Sequence, residues 1–176
     1  DALSIAEELG ALEIQAEALQ FVGMMRLDAG DARGIEDIEK ALTVAMELNS
    51  PVSLSCYGNL ADMRRCFGSL KESALLRLAG ERAARRFGIP VQARRFRAEQ
   101  AVDLYYRGDW DEALAHIDEY LGLIETGSPH RGAGEARLNR GRIRLARGDT
   151  EGALEDARAA LEFARTTGEP WDLFPA

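Results

Sequence analysis

Cysteine, histidine and lysine are all scarce in this chain. Its 176 residues include two cysteines, Cys56 and Cys66, two histidines, His116 and His130, and two lysines against 20 arginines. So few cysteines and histidines exclude a disulfide framework and most histidine-rich metal sites. Cys56 and Cys66 stand ten apart, a poor spacing for a metal pair on one helix, and read as small core or groove thiols. No apolar run approaches the roughly 18 residues of a membrane span. β-branched aliphatics are sparse as well, with 8 Ile and 5 Val against 28 Ala and 22 Leu. That balance favours helix over strand. The net charge of −8 opposes nucleic acid and anionic lipid, so neither is an expected partner. What remains is 46% apolar residues in a length that buries a core, hence a folded, water-facing protein. The arginine skew, with abundant Ala and Gly, suggests a GC-rich bacterial gene. The chain opens at Asp1 with no leader, which reads as a fragment of a longer polypeptide with a cytoplasmic home.

The prolines and glycines are few but regularly placed. Pro51, Pro90, Pro129 and Pro170 are separated by 39, 39 and 41 residues, and each lies two places after Asn49, Gly88, Gly127 or Gly168. Gly10 extends that series backwards. Gly and Asn tolerate the left-handed conformation just past a helix end, and Pro suits the first turn of the next helix. Midway lies a second series, Gly30, Gly68, Gly108 and Gly148, followed by Asp31, Ser69, Asp109 and Asp149 as expected N-caps. Each unit therefore holds two helices. Seven residues before the second series stand Gly23, Ala61, Ala101 and Gly141, small enough for two helix backbones to approach. Five residues after it come Ile35, Ser73, Ala113 and Ala153 on the opposing face. The map is a partial helix at 2–9, then pairs at 12–29 with 32–48, 52–67 with 70–87, 91–107 with 110–126, and 130–147 with 150–167. One pair cannot bury its own apolar stripe, exemplified by Leu114, Ile117, Leu121 and Ile124, so adjacent pairs must stack.

The segment from Gly141 through Gly148-Asp149 to Ala153-Leu154 and Ala160-Leu161, and the turn Gly108-Asp109-Trp110-Asp111-Glu112-Ala113-Leu114, resemble the tetratricopeptide repeat (TPR) motif. The resemblance runs over 12–168. Two departures are a period of 38–41 rather than 34, and the early aromatic replaced by Leu19, Arg97 and Arg137, with Tyr57 in the remaining repeat. Long repeats of this kind are similar to those of large bacterial multidomain regulators. By period alone a HEAT or armadillo solenoid competes; the Gly-Asp turn argues against it. The resemblance implies an all-α, right-handed α-solenoid of about four antiparallel helix pairs. It forms a single domain, 1–176, with units 11–49, 50–88, 89–127 and 128–168; residues 1–10 end a preceding repeat and 169–176 begin a following one.

The same resemblance implies a concave groove lined by the first helix of each pair. Its candidates are Glu17, Gln20 and Met24; Asn59, Asp62 and Arg65; Arg95, Tyr105 and Tyr106; and Glu135, Asn139 and Arg142. Arginine clasps carboxylates through paired hydrogen bonds and tyrosine offers flat contact area, a combination suited to peptides. Taken singly, each is equally a solvated surface residue. Arg77, Arg82, Arg85, Arg86, Arg94, Arg95 and Arg97 face a single acid, Glu81, within 77–97. That run suits an acidic partner, although compensation of helix C-termini and plain solvation explain part of it.

Other motifs carry less. Gly132-Ala133-Gly134-Glu135 has no preceding strand and no third glycine for a dinucleotide loop. His116 and His130 lack an HExxH setting, and no Ser, His and acid set is evident. Trp110 reads as an apolar lid on a helix junction. Trp171, Leu173 and Phe174 would lack the next repeat and imply a homodimer through cut ends. The expected protein is non-enzymatic, without cofactor or metal, a scaffold that captures a protein or peptide segment and serves as a regulatory module. The rival readings are a small-ligand sensor controlling an attached ATPase or DNA-binding module in transcription regulation, and a purely structural spacer.

Overall fold

Among the described residues, eight left-handed positions divide the chain. Asn49 (φ 49°) and Gly10, Gly30, Gly68, Gly88, Gly108, Gly148 and Gly168 all have positive φ, at the positions where the sequence places helix ends. Gly127 lies outside the described residues; the computed structural model describes residues 2–125 and 132–168. Seven of the eight close in one way, Gly168 instead donating to the Ala164 carbonyl. At Gly68 the glycine N–H donates to the Arg65 carbonyl at 2.9 Å and the Ser69 N–H reaches back to Arg64 at 2.7 Å; at Gly148 the bonds run to Leu145 and Arg144 at 3.0 and 2.9 Å. This is the Schellman closure, in which a turn consumes the orphan carbonyls of the helix before it.

Between the reversals lie α1 (Ala2–Glu8), α2 (Leu12–Asp28), α3 (Gly34–Glu47), α4 (Val52–Cys66), α5 (Leu70–Arg86), α6 (Pro90–Arg107), α7 (Trp110–Glu125), α8 (Ala133–Ala146) and α9 (Thr150–Thr167). Among the described residues there is no strand. The chain divides into two compact units, Asp1–Phe96 and Arg97–Ala176, so α6 contributes residues to both.

In the first unit α2 packs on α3 and α4 on α5. The crossing of α2 and α3 depends on Gly23, where an added Cβ would stand 2.6 Å from the Gly34 carbonyl oxygen and 2.7 Å from Ile38. Ala61 and Ser73, both fully buried, take the small positions of α4 and α5. Ile38, Ala41, Cys56 and Leu60 form one core cluster, and Leu54, Tyr57, Ala83, Ala84, Ala93 and Phe96 form another. Gly80 leaves the space that the Phe96 ring occupies.

In the second unit Ala101, Leu104, Ala113, Ile117, Tyr120, Leu121, Ala136 and Ile143 form the core. Gly141 meets Ala153 with more room than Gly23 has: a Cβ there would lie 3.3 Å from the Ala153 carbonyl oxygen.

Two local expectations need correction. Helix α3 starts at Gly34, two residues late, and Gly34 rather than Ile35 takes the small position against Gly23. The cause is Asp31, whose carboxylate binds the Arg33 N–H at 3.1 Å and its guanidinium at 2.7 Å, holding these residues in a turn. Ser69 makes no capping hydrogen bond, whereas Asp149 accepts from the Gly152 N–H at 2.9 Å.

Candidate functional site

On the first-unit helices the candidate side chains form short polar contacts between neighbouring rods. Gln20 of α2 is buried, and its Oε1 accepts from Asn59 Nδ2 of α4 at 3.4 Å and from the Cys56 thiol at 3.6 Å. One turn along α4, Asp62 accepts from Arg65 at 3.2 Å and from Arg77 of α5 at 2.7 Å. Arg77 itself is fully buried. Glu17 is exposed, Asn59, Asp62 and Arg65 are half-buried, and Met24 packs on the core. What α2 and α4 offer outward is thus exposed Glu17 and a polar row of Asn59, Asp62 and Arg65, whose base is fixed by Gln20 and Arg77. Burial pushes the Cys56 thiol up to about 12, which makes it a core group and not a nucleophile. Arg95 stands exposed on α6.

The second-unit candidates gather in two places. Tyr105 and Tyr106 meet edge to face, with ring centroids 5.3 Å apart, and Trp110 stacks on Tyr105 at 6.3 Å. The Trp110 indole N–H donates to the Tyr105 carbonyl at 3.1 Å, and Arg147 lies 5.8 Å from its ring centroid. Trp110 therefore seals the α6–α7 turn, as the sequence reading has it, and leaves Tyr106 exposed beside it. On α8 Glu135 and Arg142 are exposed while Asn139 is buried and accepts from Arg142 at 3.2 Å.

The arginine run does not form seven equivalent free cations. Besides the buried Arg77, Arg85 is tied to Glu81 at 2.8 Å and Arg86 lies over the Phe87 ring at 5.0 Å. In the second unit Arg97 Nε lies 3.0 Å from Glu119, an ion pair without hydrogen-bond alignment. Arg82, Arg94 and Arg95 are exposed. His130, Trp171, Leu173 and Phe174 lie outside the described residues.

Sequence reasoning passed over the main electrostatic element of α8 and α9. Buried Asp156 accepts from both Arg140 Nε and Nη2, at 3.1 and 2.7 Å on one oxygen, and from Arg144 at 2.9 Å. Arg140 also binds Asp118 at 2.7 Å, and these acids hold its guanidinium charged well beyond its ordinary range. Pair one repeats the device with Arg26 and buried Asp37 at 2.5 Å. The recurring signal is an arginine three residues after the small glycine, at Gly23 and Gly141, with the aspartate 11 or 12 residues further on.

No helix among the described residues is long and apolar enough to cross a membrane, and none of their side chains form a cluster able to hold a metal ion. No family model and no curated protein matches the sequence. Solved structures do. BtubC (BKLC) from P. vanneervenii superposes with a TM-score of 0.72 at 15% identity, over 89% of this chain and 66% of that one. Two structures of the kinesin light chain TPR-like repeats of Podosopora anserina superpose with TM-scores of 0.68 and 0.65, each at 16% identity. They cover 95% and 93% of this chain, and 84% and 83% of theirs. At such identities the likeness is one of fold, and with its nine described helices the chain has the all-helical, TPR-like repeat architecture.

Proposed function

We propose that this chain is a non-catalytic interaction module that holds a protein or peptide segment on the first helices of its pairs. The observation that carries the reading is the row of Asn59, Asp62 and Arg65, held in place by the Gln20 and Arg77 contacts. Side chains already fixed by internal partners lose little freedom when they bind, so they favour recognition over mere solvation. The TPR-like likeness supports the same reading at the level of fold. In the finer reading the partner carries an acidic group, and the chain is a regulatory module of a larger bacterial cytoplasmic protein. Binding to one pair is felt first by its immediate neighbours, because repeat proteins are stabilised by nearest-neighbour contacts.

The test is selection of peptides from a random library on the purified chain, followed by titration against variants. Asn59→Ala and Arg65→Ala should each weaken a selected peptide about tenfold or more while leaving the melting temperature within a few degrees. Selected peptides that bind both variants as tightly as the parent chain would overturn the proposal.

A further inference from the structure

The second helices of the first unit hold a cleft that none of the α2 and α4 candidates line. It lies between α3 and α5 over α4, with a volume of about 430 Å³, inside the roughly 300–1,000 Å³ range of ligand sites. Leu60 of α4 forms its buried floor and Leu42 and Leu76 are half-buried walls, while Leu75, 58% exposed, stands at the rim. Glu39, Arg64 and Glu72 cross the same cleft in a chain: Arg64 Nη2 is 2.6 Å from Glu39 Oε1, and its Nε is 3.2 Å from Glu72 Oε2.

We infer that this cleft docks a segment of a partner protein in which an apolar side chain is flanked by lysine or arginine. Two carboxylates face one guanidinium, so the lining charge is negative. Each acid uses only one oxygen toward Arg64, which leaves Glu39 Oε2 and Glu72 Oε1 to accept from an incoming cation. Lys40 and Lys71, next in sequence to those acids, are turned about 100° around their helices and do not line the cleft. An acidic segment would meet two like charges at close range; a neutral one would leave the surplus negative charge beside Arg64 uncompensated. The leucines supply the apolar contact, and the charge selects the partner and speeds its arrival. The site is separate from the α2–α4 face, so either can fail alone.

The experiment is amide chemical-shift mapping on the whole chain with two synthetic peptides of identical leucine pattern, one with lysine beside each leucine and one with glutamate. The lysine peptide is expected to shift amides around Leu42 and Leu75 and to bind at least about tenfold more tightly than the glutamate peptide. Leu75→Ser, at an exposed position, and the double variant Glu39→Gln, Glu72→Gln should each weaken it about fivefold or more with an unchanged spectrum elsewhere. Equal binding of the two peptides, or no shift at about 1 mM peptide, overturns the inference. Shifts confined to α2 and α4 overturn it too, while supporting the other face as the binding site.

Discussion

Gly23 and Gly34 touch backbone to backbone. A methyl group on the first would stand 2.6 Å from the carbonyl oxygen of the second, closer than carbon and oxygen pack. Neither partner is the end of a flexible side chain, so the helices themselves must part to admit it.

Gly23→Ala is therefore expected to destabilise the protein by about 1–3 kcal/mol through overpacking, despite the better helix propensity of alanine. At Gly141 the corresponding Cβ would be 3.3 Å from the Ala153 carbonyl. Gly141→Ala should be close to neutral, within about 1 kcal/mol, whereas Gly141→Leu should cost several. Urea denaturation of the three variants checks this, and equal losses for the two alanine substitutions would contradict the packing described.

Asp156 anchors Arg140 and Arg144, whose side chains retain 19% and 30% exposure. Asp156→Ala should cost about 2–3 kcal/mol, less than loss of a partner in a wholly buried pair, because solvent reaches both guanidiniums. Asp118 binds the same Arg140 from an exposed position, so Asp118→Ala should cost under about 1 kcal/mol. A thermal or chemical denaturation series that ranks the two the other way would refute this assignment.

Cys56 and Cys66 should differ sharply in reactivity. Exposed Cys66 should alkylate readily at mildly alkaline pH, and Cys56 only on unfolding, as mass spectrometry of the labelled peptides would show. The Cys56 thiol ionises near 9.0 when unfolded and at about 12 when folded. The folded state thus holds its proton longer, so the stability contribution is full below pH 9 and is lost as pH rises toward 12. Cys56→Ala should flatten that alkaline slope. A slope unchanged by the substitution would mean that another group causes it.

Asp31 is expected to titrate at about 2 rather than 3.8, held down by the hydrogen bonds from Arg33. The favoured carboxylate contributes stability above pH 3.8, and the contribution fades as pH falls toward 2. Because the pair lies at the surface, with Arg33 exposed to solvent, salt should weaken it. Arg33→Ala should return the carboxyl titration, followed by NMR, toward 3.8; a midpoint that stays low would dismiss the pair as the cause.

The chain's punctuation was legible because a left-handed turn demands particular residues: Asn49 and the glycines follow eight of the nine described helix ends. The small residues at the other crossings were legible for the same steric reason, whereas Gly34 was not, because the Asp31–Arg33 turn delays the start of α3. What the sequence concealed depends on partners distant in the chain. Arg77 reads as part of a basic run until α4 brings Asp62 to it, and Gln20 reads as a groove residue until Asn59 and Cys56 bury it. Helical register does not give the depth of Gln20 and Asn139, since a polar side chain with an internal partner can sit below the surface its neighbours form. The α3–α5 cleft was invisible because its acids and arginine come from three helices, none remarkable alone.

The closure at each turn has a further consequence. Gly68 and Ser69 satisfy carbonyls no more than five residues away, and Gly148 and Asp149 do the same. A hairpin of rods sealed by its own atoms asks nothing of distant chain to complete its main-chain bonding. Such cassettes can be gained or lost whole during evolution, with side-chain fit between neighbours as the requirement for acceptance.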